Sequence, residues 1–168
     1  KALKIRPDYD GVYKNIGSIL KNIEFTKPIF GLQEIISSII DRKNIVKPVH
    51  ISQAAISLLK FEPALKELIK KYFTGEVKFS LETLISNLSE IPLLFKLMGA
   101  CSLTDLELEV VFTDIRSALL ASVNETENPP EVLRFQSALA LQCFTNEYIY
   151  SQNDKETSAI EILEVKVG

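Results

Sequence analysis

A double proline, Pro129-Pro130, precedes the stretch that constrains this chain most. Residues 131–150 read EVLRFQSALALQCFTNEYIY, and the 135–144 portion is apolar on nearly every side of a helix. Proline suits the first helical turn, because its fixed φ is helical and its missing amide hydrogen would have no partner there. A helix without a clear polar face has to be wrapped. The pattern therefore predicts a buried central helix, a surrounding layer drawn from the rest of the chain, and an all-α fold.

Composition agrees with that expectation. The 168 residues are 46% hydrophobic and 24% charged, enough for one core. Seven prolines are spaced as punctuation, and the six glycines never cluster, which favours helices joined by short turns and leaves no phosphate-cradling loop or dinucleotide fingerprint. A net charge of −3 gives no broad attraction to nucleic acid or anionic lipid. No apolar run approaches the roughly 20 residues that cross a bilayer, and residues 1–6 lack the apolar core of a signal peptide. Cys101 and Cys143 stand in apolar company and read as small buried hydrophobes, so a cytoplasmic location is expected. The first residue is Lys1, not methionine, and the chain is expected to be a piece of a longer protein.

Periodicity and breakers predict helices over 8–23, 28–42, 48–61, 63–73, 81–88, 92–97, 105–121, 131–150 and 157–165, with polar loops at 122–128 and 151–155. Ser80 is the expected cap of the fifth. Thr104 and Glu107 have the spacing of a capping box for the seventh, in which Leu106, Val110, Ile115, Leu119 and Leu120 are candidates for burial. Glu62/Lys66 and Glu67/Lys71 are spaced for helix-surface ion pairs.

The polar residues do not assemble into chemistry. His50 is the only histidine and sits at a predicted helix start, where a surface or capping role is expected. Asp105, Glu107, Glu109 and Asp114 read as a solvated helix face favoured by the helix dipole, not as an oxygen cage for a cation. Lys66, Lys70, Lys71 and Lys78 read as another solvated face. Arg116 and Arg134 lie on helices that otherwise pack, so their stems are expected along apolar surface with their heads on a nearby carboxylate. Gln142, Asn146, Glu147, Tyr148 and Tyr150 form either an internal hydrogen-bond network or the wall of a groove. No catalytic, cofactor-binding or metal-ligating residue is assigned.

Ala2, Pro7, Tyr13, Ile16, Gly17 and Leu20 follow the small residue, closing proline, aromatic, aliphatic, glycine and aliphatic of a tetratricopeptide-repeat junction, and KALKIRPDYDGVYKNIGSIL resembles that consensus throughout. In such repeats Ala2 and Gly17 let neighbouring helices approach closely. The repeat spacing does not recur after Leu20. Together with LTDLELEVVFTDIRSALL and LRFQSALALQCFTNEYIY, this segment resembles bacterial tetratricopeptide-repeat proteins that carry a methyltransferase domain further along the chain. The resemblance implies the end of a repeat array over 1–23, then an irregular helical connecting domain over 24–168 that positions an S-adenosylmethionine-dependent enzyme lying outside these residues.

The expected function is thus a non-catalytic helical interaction or linker module without a cofactor. Its partner is a protein or peptide, met through a surface of Tyr13, Lys14, Asn15 and Ser18, with self-association through Leu3, Tyr13 and Ile16. The alternative is a free-standing bundle that binds a small molecule or peptide in a groove near Arg116, Asn146 and Tyr148.

Overall fold

The computed structural model describes residues 9–76, 80–122, 130–145 and 152–167. Among these, every regular element is helical: α1 (Asp10–Leu20), α2 (Leu32–Asp41), a 3-10 turn (Pro48–His50), α3 (Ser52–Leu59), α4 (Pro63–Thr74), α5 (Leu81–Ser89), α6 (Pro92–Met98), α7 (Leu106–Ala121), α8 (Pro130–Thr145) and α9 (Asp154–Val167). Among the described residues no helix is long and apolar enough to cross a membrane.

The punctuation works locally as its chemistry dictates. Pro63 and Pro92 occupy the first turns of α4 and α6, where no amide partner is lost. Gly75 closes α4 at φ 66°, a left-handed conformation that side chains with a Cβ resist. Ser80 caps α5 by accepting from the Thr83 amide at 3.2 Å. The α7 cap falls one residue later than its predicted box: Asp105, not Thr104, accepts from the Leu108 amide at 3.1 Å. Ile115 and Leu119 are buried as expected, together with Leu108, Val111 and Phe112, whereas Leu106, in the first turn, is exposed and Val110 and Leu120 are half-buried. The predicted 28–42 helix starts only at Leu32, because Gly31 takes a left-handed φ of 73°. The predicted 48–61 helix is broken at Ile51 into the 3-10 turn and α3.

The centre of the fold is not where the apolar composition predicts. Helix α3 is buried at Ser52 and at every position from Ala54 to Leu59. Helix α6, buried through Leu93, Leu94, Leu97 and Met98, packs against α2, α3, α5 and α8. By contrast α8 buries one face only, through Val132, Phe135, Ala138, Leu139 and Gln142, and leaves Leu133, Leu141 and Phe144 exposed. The predicted continuation of this helix to residue 150 lies outside the described residues, as do the 123–128 part of the predicted loop and the whole of 1–8.

Two polar side chains let α3 be surrounded. Ser57 Oγ donates to the Ala54 carbonyl at 2.9 Å and accepts from the Phe25 amide at 2.9 Å, and Ser52 Oγ donates to the Val49 carbonyl. Both hydroxyls are satisfied without water, so neither marks a solvent face.

Candidate functional site

Helix α1 carries the repeat-like residues. Its inner stripe of Tyr13, Gly17 and Leu20 is buried. Tyr13, expected on the interaction surface, instead points into the core with the Arg42 guanidinium 4.0 Å from its ring centroid. Lys14, Asn15 and Ser18 are exposed as expected. Gly17 does allow a close approach, though from a connector and not from another helix. A Cβ at this position would lie 2.5 Å from Val46 Cγ2. Val46 therefore seats on bare helix backbone and pins the segment after α2 across α1.

Next to the buried stripe α1 has a second apolar one. Tyr9 and Ile19 are 57% and 64% exposed, with Val12 and Ile16 half-buried between them. The spacing 9, 12, 16, 19 holds these four on one helical face. On α8 the residues Leu133, Ala140, Leu141 and Phe144 do the same, with Phe144 70% exposed. Of the residues expected to drive self-association, Ile16 is a half-buried member of the second α1 stripe, Tyr13 is buried, and Leu3 lies outside the described residues.

The second site lies where α9 meets α7. Arg116 binds Glu156 through two bonds, Nε to Oε1 at 2.9 Å and Nη2 to Oε2 at 3.1 Å. Ser117 Oγ donates to Oε1 at 2.7 Å, and the Asn153 amide donates to Oε2 at 2.9 Å. Asn153 Oδ1 in turn accepts from the Lys155 and Glu156 amides, which completes a capping box at the start of α9. Burial works to raise the Glu156 pKa. The donors from Arg116, Ser117 and Asn153 outweigh it and hold the carboxyl at about 2. Beside this pair the Cys143 thiol is pushed up by burial, partly opposed by Arg116, and burial pushes Cys101 up to about 11. Neither cysteine forms a disulfide.

Between α7, α8 and α9 opens a cleft of about 320 Å³, walled by Arg116, Leu120, Gln136, Ala140, Cys143 and Ile160. Arg116 lines this cleft, and its head is engaged by a carboxylate, as expected of an arginine on a packing helix. Asn146 and Tyr148, its expected companions, lie outside the described residues. Arg134 meets no carboxylate among the described residues; its guanidinium lies 4.6 Å from the Phe95 ring centroid.

The acidic face of α7 is divided among separate partners. Lys60 reaches Asp105 at 2.6 Å and Glu107 at 3.2 Å, and Asp114 accepts from the Tyr72 hydroxyl. Glu109 is buried and its carboxyl is pushed up, first by burial and then by Asp105. Of the two surface pairs, Lys71–Glu67 forms at 3.2 Å, while Glu62 accepts from Gln33.

Glu156, Ser117 and Asn153 were not among the expected functional residues. The signal for them is the Asn153-x-x-Glu156 spacing, a capping box inside a stretch that reads as loop. No protein-family model matches this chain, and no curated protein or solved structure is significantly similar to it.

Proposed function

We propose that the chain is a helical interaction module that docks neighbouring protein through a second apolar stripe on α1 and another on α8. The observation that carries this reading is the arrangement of the exposed side chains. Scattered exposed leucines are ordinary, but exposed Tyr9 and Ile19 with half-buried Val12 and Ile16 between them, and likewise exposed Leu133, Ala140, Leu141 and Phe144, are collected at helical spacing beside a face that is already buried. A helix with two adjacent apolar stripes is built to be packed from two sides, as in stacked helical repeats. On this reading the body around α3 and α6 is a rigid support that fixes the angle between the partner docked on α1 and a domain attached beyond α9. The resemblance to repeat-containing methyltransferases supplies a concrete form of it: a cytoplasmic connector whose attached enzyme binds S-adenosylmethionine outside these residues.

Reading the coding DNA on both sides of this segment tests the connector role. Repeat helices upstream and a glycine-rich methyltransferase motif downstream are expected. A stop codon directly after the Gly168 codon contradicts it and leaves a free-standing binding protein, for which the Arg116 cleft becomes the site to probe.

A further inference from the structure

A concave pocket of about 370 Å³ lies where the segment after α2 crosses α1. Lys14, Ser18 and Lys21 enter it from α1, Lys43 and Lys47 from the crossing segment, and His50 from the 3-10 turn. The Gly17–Val46 contact forms its floor. Four lysines, at positions 14, 21, 43 and 47, thus line one pocket in a chain whose net charge is −3. Among the described residues no carboxylate lines the pocket and none of the four is in an ion pair. Asp10, one turn before Lys14, makes no pair with it either. Elsewhere Lys60, Lys71 and Lys96 are each matched to an acid. Like charges brought together without counter-charge repel, and a bound anion relieves that repulsion.

We infer that this pocket binds a compact ligand carrying two or more phosphoryl groups. Lysine ammoniums are point donors that suit tetrahedral phosphate oxygens, whereas carboxylates are better matched by the planar fork of arginine. Arg42, adjacent to Lys43 in the chain, is stacked on Tyr13 and donates to the Ser38 carbonyl at 2.9 Å. Asn44 adds an amide donor at the rim. The volume falls within the range of about 300–1,000 Å³ typical of small-ligand sites. This site is independent of the apolar stripes on α1 and α8.

Isothermal titration of the whole chain with inorganic tripolyphosphate tests the assignment, with Lys43→Gln/Lys47→Gln as the pocket variant and Lys66→Gln/Lys70→Gln as a control outside it. Binding to the unsubstituted protein that weakens about tenfold or more in the pocket variant alone, and weakens as salt is added, is the expected result. Circular dichroism melting keeps the test sound, since both variants change exposed side chains and are expected to melt with the parent. Phosphatidylcholine vesicles with and without phosphatidylinositol bisphosphate separate the sources. Pocket-dependent binding only to the phosphoinositide vesicles assigns the phosphates to a lipid headgroup, and tight binding of free tripolyphosphate assigns them to a soluble ligand. Absence of binding to both probes, equal loss in the control variant, or equal binding of a polyglutamate peptide overturns the inference.

Discussion

Helices α3 and α8 are both rich in apolar residues, yet they play opposite parts. Helix α3 has only eight residues, two of them serine and two alanine, and is buried at all but Gln53. Helix α8 has sixteen, with larger side chains, and buries a single face. Small residues let α3 be approached from every direction, and its hydroxyls are satisfied internally. Bulk on α8 is in excess of what the core can cover. Apolar content therefore measures how much surface a helix has to offer, and not how much of it this chain covers. The same contrast appears in how the two ends are held: the body by apolar packing, α9 by a buried ion pair.

Four substitutions or conditions sharpen this contrast. Glu156→Ala removes the bidentate carboxylate from Arg116, whose side chain is 12% exposed, and should cost about 3–5 kcal/mol, read by urea denaturation together with faster amide exchange in α9. Leu59→Ala in α3 should cost about 2–5 kcal/mol, while the same change at Leu141 on α8 should stay within about 0.5 kcal/mol. Equal costs at the two positions would erase the distinction between the helices. Acid should weaken the α9 end. The Glu156 pKa is depressed to about 2, so its contribution is complete above the ordinary value of 4.5 and is lost as pH falls from there toward 2. That loss is of the order of 3 kcal/mol, and Glu156→Gln should flatten the pH dependence of the urea midpoint over this window. Gly17→Ala should cost about 1–3 kcal/mol by forcing Val46 off the α1 backbone, with α3 exchange unaffected.

The helical class and most helix boundaries are legible because they rest on local chemistry. Prolines at first turns, Ser80 as a cap and Gly75 as a stop act within a few residues of themselves. The hub was not legible, since Ser52 and Ser57 read as polar until the Val49, Ala54 and Phe25 backbone groups that satisfy them come into place. On α7 the sequence marks Ile115 and Leu119 for the core, while Leu106, in the first turn next to the Asp105 cap, stays exposed. Arg116 shows the intermediate case. Its need for a carboxylate is visible in the sequence, but the partner, Glu156, is forty residues away in the chain. Tyr13, expected on the interaction surface, faces inward because it shares the inner stripe of α1 with Gly17 and Leu20, and Arg42 lies over its ring.

The most direct test of the docking stripes is sedimentation equilibrium over a concentration series, because bare stripes should find each other when no other partner is present. The account predicts concentration-dependent self-association that is abolished by Ile19→Glu or Phe144→Glu, with melting curves unchanged by either exposed substitution. A strictly monomeric parent protein at the highest concentration, indistinguishable from both variants, would contradict it.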